Sequence, residues 1–341
     1  MTAKVTINSL FHGDGVTPLR TYVIAEIGIN HEGNVDLCAE MIRNFAKAGA
    51  DAIKLQTVDA KRSYAPDTQS YDIFSRSALT PAQTANMFEL ARECGVEVFT
   101  TSGDMQTLAW VDKLKPVAHK ISSGLLSCLP IVDDTCRLGR PVLISTGMSD
   151  DTAISKTVEI AKLHDCKLAL FQCTSEYPCP TDKLNLAAIH ALHQKYLLPV
   201  GFSDHSQGVG AAPLAVAAGA RMIEKHVTFE QGRTGFDHPI SLTDDEFAMM
   251  VQAIRHAETA MGHADKQMDE ALRGQARRFE RRLAVLQDFD AGHVLAASDL
   301  LFIRFATEID AIPAHETEKA VGKTLKVKLS AGQGISWQDL L

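Results

Sequence analysis

Two short motifs, Ser203-Asp204-His205 and Glu224-Lys225-His226, each end an apolar run in a histidine. Side chains along a strand alternate with a period of two. Ser203 and His205 therefore share one side of one strand, and Glu224 and His226 share one side of the next. Neighbouring strands lie about 4.8 Å apart, so the two imidazoles can converge on one ion. Two neutral imidazoles with oxygen ligands and open positions suit Mn²⁺, Fe²⁺, Co²⁺ or Zn²⁺. The competing reading has one histidine capping a strand and the other filling the core. Lys54 and Lys120 interrupt otherwise apolar runs, where a charge needs a partner or a ligand. They are either structural ion pairs with Glu26 or Glu224, or an anion site. Thr101, Ser123, Ser145 and Ser203 add hydroxyls at four strand ends. Hydroxyl donors beside two ammonium groups fit a phosphate and a carboxylate, the pair that phosphoenolpyruvate carries. A Schiff-base aldolase also uses a buried lysine, but it needs no metal and only one lysine.

These residues require a scaffold that brings strand ends together. Eight β-type runs occur in order: 22–28, 52–57, 97–102, 119–124, 141–147, 168–173, 199–205 and 222–228. Amphipathic helical segments separate them, among them 36–48, 81–94, 151–164 and 210–218, and 244–261 follows the eighth. Strands alternating with helices imply parallel pairing through right-handed crossovers. Eight units predict closure into a (β/α)8 TIM barrel. A doubly wound sheet is the alternative, but the first strand lacks a GxGxxG turn. Chemistry in such a barrel gathers at the C-terminal strand ends. Glu26, Lys54, Gln56, Thr101, Lys120, Ser122, Ser123, Ser145, Ser175, Tyr177, Ser203, His205, Glu224 and His226 all occupy or follow those ends.

The chain has 341 residues, more than the roughly 250 of a bare barrel, with 45% hydrophobic and 22% charged residues. This is an ordinary globular mixture and excludes disordered, collagen-like and coiled-coil chains. A formal charge of −8 argues against a general affinity for nucleic acid or anionic lipid. No apolar run reaches the roughly 20 residues that span a bilayer, and Met1–Leu10 does not read as a signal peptide. The seven cysteines are scattered without a CxxC pair, as expected of reduced thiols in a cytoplasmic protein. The barrel is assigned to residues 1–262 and a polar, helix-prone linker to 263–280. Residues 281–341 contain a short internal repeat. Phe289-Asp290-Ala291-Gly292 precedes Asp299-Leu300, and Leu329-Ser330-Ala331-Gly332 precedes Asp339-Leu340. Each copy reads as strand, tight turn, strand and Asp-Leu exit, which predicts a small β-rich domain with pseudo-twofold symmetry.

The stretches IAEIGINHEGN (24–34), AGADAIKLQT (48–57), HKISSG (119–124), STGM (145–148), CTSEYP (173–178), GFSDHS (201–206) and EKHVTF (224–229) resemble the sialic acid synthase family. The resemblance runs in order over nearly the whole chain. It includes the tail, which is similar to the family's antifreeze-like (SAF) domain. It implies that phosphoenolpyruvate adds to the aldehyde of an N-acetylated amino sugar such as N-acetylmannosamine, giving a nonulosonic acid and phosphate. By the same resemblance, His205 and His226 hold a divalent metal, usually Mn²⁺. Glu26 is the acid/base or oxocarbenium-stabilising carboxylate. Lys54, Thr101, Lys120, Ser123, Ser145, Ser175, Ser203 and Glu224 lie on the phosphoenolpyruvate side, and Tyr177 and Asp237 on the acceptor side. The family is usually a domain-swapped homodimer, in which a tail arginine, here matched by Arg304, reaches the partner's acceptor.

Departures gather on the acceptor side. Leu125 stands where the family usually has an acidic residue, Cys128 where an Asn is common, and Thr101-Ser102-Gly103 replaces TPF. Ser175 replaces an Asn, Arg304-Phe305-Ala306 replaces Arg-Pro-Gly, and the connection after the second strand looks short. A site stripped of such partners stops discriminating for sugar hydroxyls. The expected acceptor is therefore a more apolar aldose, of the deoxy or diacetamido type. The competing readings are a sugar-binding barrel that has lost turnover and a lysine aldolase.

Overall fold

The protein is described here from a computed structural model covering residues 5–11, 20–262, 266–307 and 309–341. Residues 1–4 of the N-terminal stretch read above, and 263–265 of the expected linker, lie outside the described residues. The chain divides into two compact units, with the division after Gly262.

In the first unit, eight parallel strands close into a barrel in sequence order. They are Tyr22–Gly28 (β1), Ala52–Thr57 (β2), Glu97–Ser102 (β3), His119–Ile121 (β4), Val142–Ser145 (β5), Leu168–Cys173 (β6), Val200–Asp204 (β7) and Met222–His226 (β8). The TIM-barrel expectation holds and the doubly wound sheet is excluded. Several runs end earlier than the sequence suggests. Beyond Ile121, for example, Ser123–Leu125 winds into one 3-10 turn, which ends the pairing of β4. Val35–Lys47 (α1) follows β1. Ala60–Ser63 (α2), Gln69–Ser77 (α3) and Pro81–Glu93 (α4) fill the β2–β3 connection. Met105–Asp112 (α5), Leu129–Arg137 (α6), Asp151–Leu163 (α7), Ala187–Tyr196 (α8), Ala211–Ala217 (α9) and Asp244–Met261 (α10) complete the outer ring.

The helix starts follow local chemistry. Asn34 Oδ1 accepts from the Leu37 N–H at the head of α1. Thr80 and Gln83 close a capping box ahead of Pro81 at α4, which satisfies otherwise orphan N–H donors. Apart from Gln56 and Glu97, which are half-buried, every barrel-strand residue is buried, because one face is covered by helices and the other by the barrel interior. Inside, Tyr22, Ile24, Phe99, Leu143, Phe171 and Met222 pack with Ile7 and Leu10 of the N-terminal segment. Glu97 Oε2 accepts from the Ile7 N–H at 2.8 Å and from the Tyr22 hydroxyl at 2.7 Å. This apolar floor closes the N-terminal end of the barrel and leaves the opposite end for polar groups.

The second unit has its own core of Leu283, Val285, Phe289, Leu295, Leu300, Leu325, Leu329, Ile335 and Leu340. Glu270–Phe279 (α11), within the expected linker, is helical. Arg282–Val285 (β9) and Leu300–Ile303 (β10) pair antiparallel. The repeat is visible in three dimensions. Phe289 and Leu329, equivalent in the two copies, exchange backbone hydrogen bonds of 2.9 Å in both directions. Gly292 and Gly332 both take positive φ, +92° and +79°, the turn conformation that favours glycine. The repeated aspartates are turn staples rather than strand exits. Asp299 Oδ2 accepts from the Ala296 N–H and Asp339 Oδ2 from the Ser336 N–H, each at 2.8 Å. Much of the expected strand content is met by isolated bridges instead of continuous ladders. Short segments folded over two glycine turns leave little length for regular pairing.

Among the described residues, no helix is long and apolar enough to cross a membrane. All seven cysteines are free thiols.

Candidate active site

The barrel's registers set the site. Glu26 lies opposite Lys54 on β2 and opposite His226 on β8. Thr101 lies opposite Gln56 and Lys120, and Ser203 opposite Cys173 and Glu224. Alternation along each strand turns these side chains inward above the apolar floor. One cavity of 550 Å³ is lined by Glu26, Lys54, Thr101, Lys120, Ser123, Ser145, Ser175, Tyr177, Ser203, His205, Glu224, His226 and Asp237. The barrel residues given catalytic, substrate or metal roles from the sequence thus meet in one place. Arg304 lies in the second unit, exposed, with its guanidinium 4.6 Å from the centre of the Phe279 ring.

Four buried charges form the base of the cavity. Lys54 Nζ is 2.6 Å from Glu26 Oε1 and 3.5 Å from Glu224 Oε1. Lys120 Nζ donates to Ser145 Oγ at 2.7 Å and to Glu224 Oε1 at 3.2 Å, and lies 5.3 Å from the centre of the Phe171 ring. Ser203 Oγ donates to Glu224 Oε1 at 3.2 Å. The ion-pair reading of the lysines is realised, and both ammonium groups also line the cavity. Burial pushes the Glu224 carboxyl up, but Lys120 and Lys54 outweigh it and hold it below the usual carboxylate range. Glu26 goes the other way. Its complete burial dominates over Lys54, and the nearby Glu224 adds to the rise. Environments that separate two carboxylates in this way mark one as fixed charge and the other as a proton carrier. Glu26 Oε1 also accepts from Gln56 Nε2 at 2.8 Å, while Oε2 is buried without a partner.

The histidines stand beside this tetrad, with ring centres 5.6 Å apart. His205 Nδ1 is 2.8 Å from the Thr174 carbonyl, so Nδ1 carries the proton and Nε2 keeps its lone pair. Tyr177 stacks on His205 with ring centres 4.2 Å apart and its hydroxyl 3.3 Å from Nε2. His226 Nδ1 lies 3.4 Å from Asp237 Oδ2, at ion-pair distance but without hydrogen-bond alignment. Burial depresses both imidazoles, His226 to about 4, so both are neutral at pH 7, the form that ligates a cation. A carbonyl or carboxylate behind each ring is the usual support of a metal-binding histidine. Among the described residues, no third His, Cys, Asp or Glu joins them as a ligand cluster. Two neutral imidazoles fit a divalent cation whose remaining positions would be left to water or substrate oxygens.

The hydroxyl side is assembled by close approach. Gly147 N–H donates to Ser123 Oγ at 3.0 Å, and Cys173 Sγ lies 3.1 Å from the same oxygen. A Cβ at Gly147 would collide with Cys173 Sγ and Ser175 Oγ, so only glycine lets the β5 loop reach β6. Thr101 Oγ1 and Ser175 Oγ are buried without partners, which leaves donors available to a ligand. Asp237 is placed by Asn30, whose Oδ1 accepts from the Asp237 N–H at 3.0 Å and whose Nδ2 donates to the Val227 carbonyl and to Ser241 Oγ, both at 2.9 Å.

Ile29, Tyr64, Ile73, Phe74, Leu125, Met148 and Phe236 also line the cavity. Apart from Leu125, sequence reasoning did not single them out. Tyr64 and Phe74 stack at 5.3 Å in the β2–β3 connection, where no periodicity marks them. Cys128, grouped with Leu125 from the sequence, caps α6 and is not among the lining residues.

Residues 41–266 match the NeuB family and residues 280–341 the SAF domain. The chain is 30% identical to N,N'-diacetyllegionaminic acid synthase of Legionella pneumophila, over 96% of this chain and 98% of that protein. It is 32% identical to a pseudaminic acid synthase of Campylobacter jejuni, over 86% and 89% respectively. The crystal structure of an N-acetylneuraminic acid synthetase from Leptospira borgpetersenii, in complex with citrate, superposes with a TM-score of 0.74 at 28% identity, covering 76% of this chain and 90% of that one. The chain belongs to the NeuB family and carries a SAF domain after its barrel in the sequence.

Proposed function

We propose that this protein is a nonulosonic acid synthase that condenses phosphoenolpyruvate and water with the aldehyde of an N-acylated amino sugar, releasing phosphate. The observation that carries this reading is the meeting, in one cavity, of two buried ammonium groups, spare hydroxyl donors and two neutral imidazoles around Glu26. Lys54 and Lys120, with Thr101, Ser123, Ser145, Ser175 and Ser203, bind the phosphate and carboxylate of the enol substrate through charge-assisted hydrogen bonds. As C3 of the enol attacks the aldehyde carbon, positive charge grows at C2, and the Glu26 carboxylate stabilises it. Water then adds at C2 and phosphate leaves with C–O cleavage, with Glu26 placed to hold the proton. A divalent cation held by His205 and His226, Mn²⁺ by preference, would supply Lewis-acid polarisation of the aldehyde oxygen. Tyr177 and Asp237 face the acceptor, and a partner's Arg304 would complete its N-acyl contact in a domain-swapped, cytoplasmic homodimer.

Leu125, Met148, Ile29 and Phe236 give the acceptor side an apolar lining. A deoxy or diacetamido aldose suits that lining better than a hydroxyl-rich hexose, and the names of the Legionella and Campylobacter relatives point the same way. The test is phosphate release from phosphoenolpyruvate with Mn²⁺ across a panel of aldoses, with mass spectrometry of the products. Robust turnover of N-acetylmannosamine with none of the deoxy sugars overturns the acceptor assignment. An adduct trapped by borohydride would indicate an imine and overturn the condensation mechanism.

A further inference from the structure

Both cation-facing histidines are flanked by residues that point away from the cavity. Asp204 precedes His205, Lys225 precedes His226, and the two are register partners across β7 and β8. Alternation directs them to the outer face of the barrel wall, against the helix shell. Neither has any exposed side-chain surface, and Lys225 Nζ is 3.0 Å from Asp204 Oδ2. The pair is part of a closed network. Asp204 Oδ1 accepts from the Ser206 N–H at 2.8 Å and from Ser206 Oγ at 2.6 Å. Lys225 Nζ also donates to the Ser206 carbonyl. His205 is thus held between two residues that Lys225 ties down, while Lys225 itself is joined by one peptide bond to His226.

A buried ion pair is weak evidence for stability. Desolvation costs several kcal/mol per ion, and a well-packed apolar pair often serves as well. What this pair supplies that leucine or methionine cannot is direction: it fixes the end of β7 against the end of β8 where each strand releases its imidazole. We infer that Asp204 and Lys225 are positioning residues that set the spacing of His205 and His226 for one divalent cation. The inference rests on the two-histidine reading given above.

Mn²⁺ is the probe, and its affinity is measured by electron paramagnetic resonance of the free ion, without substrate. Removing an outer support of a metal ligand typically weakens binding about 10–100-fold. Lys225→Met is expected to lose affinity in that range and also to melt lower, because Asp204 is left charged and buried. The combined variant Asp204→Asn, Lys225→Met removes both charges while keeping an acceptor for Ser206. It is expected to melt near the parent yet bind Mn²⁺ about tenfold or more weakly. A merely structural pair would move the melting temperature and leave the affinity of the folded protein alone. Parent-like affinity in the folded double variant overturns the inference while the two-histidine reading stands. Failure of the parent protein to bind Mn²⁺ overturns both.

Discussion

Replacing Lys120 by Met separates anion binding from structural support. The ammonium contacts Ser145 Oγ at 2.7 Å and Glu224 Oε1 at 3.2 Å in a fully buried setting. Its loss leaves Glu224 with the Lys54 ammonium at 3.5 Å and the Ser203 hydroxyl at 3.2 Å. Breaking a buried pair costs about 3–5 kcal/mol, and the remaining lysine places the expected loss near the lower end, about 3 kcal/mol. The substrate anion loses one charge-assisted hydrogen bond, about 1.5–3 kcal/mol. That corresponds to a rise in the phosphoenolpyruvate KM of about 13- to 160-fold. Lys120 holds the anion in the ground and transition states alike, so kcat should change far less than KM. Adding Glu224→Gln removes the orphaned charge. The double variant should recover much of the lost stability and none of the lost affinity. The assay is steady-state phosphate release with varied phosphoenolpyruvate, alongside thermal melts of both variants. A KM within about twofold of the parent, below 0.5 kcal/mol, in a folded Lys120→Met protein would refute Lys120 as an anion ligand.

Glu26→Gln keeps the contact with Gln56 but cannot carry a proton. It should lower kcat by about 10²–10⁴ with little change in the phosphoenolpyruvate KM, and parent-like kcat would remove Glu26 from the chemistry. His205→Ala or His226→Ala should abolish both Mn²⁺ binding and Mn²⁺-stimulated phosphate release; activity surviving both changes would disprove the two-histidine site. Burial depresses His31 and His226 from 6.5 to about 4, so the unfolded chain takes up protons first. Their contribution is complete above pH 6.5 and is lost as pH falls towards 4. At 1.36 kcal/mol per unit it amounts to roughly 3 kcal/mol for each. A melting temperature that stays flat from pH 6.5 to 4 contradicts this. Leu125→Glu restores a carboxylate to the acceptor lining and should raise kcat/KM for hydroxyl-rich hexoses relative to deoxy sugars, measured by direct competition with product analysis.

The parts of this protein that the sequence revealed are those whose physics is local and periodic. Strand alternation placed Ser203 with His205 and Glu224 with His226, and the barrel registers set Lys54 of β2 and His226 of β8 beside Glu26. The same reasoning could not decide whether Lys54 and Lys120 serve carboxylates or ligands. In the folded protein both pair with buried carboxylates, as a buried cation needs a partner, while their ammonium groups also line the cavity. The sequence was silent on Tyr64, Met148 and Phe236, which reach the cavity from connecting segments where no repeat constrains orientation, and on Phe74, which reaches it from the short helix α3. It also misassigned Asp299 and Asp339, whose seven-residue spacing from a glycine marks a turn that folds back on itself rather than a strand that leaves. Asp204 and Lys225 show a third kind of blindness. Their neighbours carry the recognisable chemistry, and alternation hides them on the outer face. A period-two pattern that identifies the groups facing a substrate also identifies, one residue earlier on each strand, the groups that can hold them there.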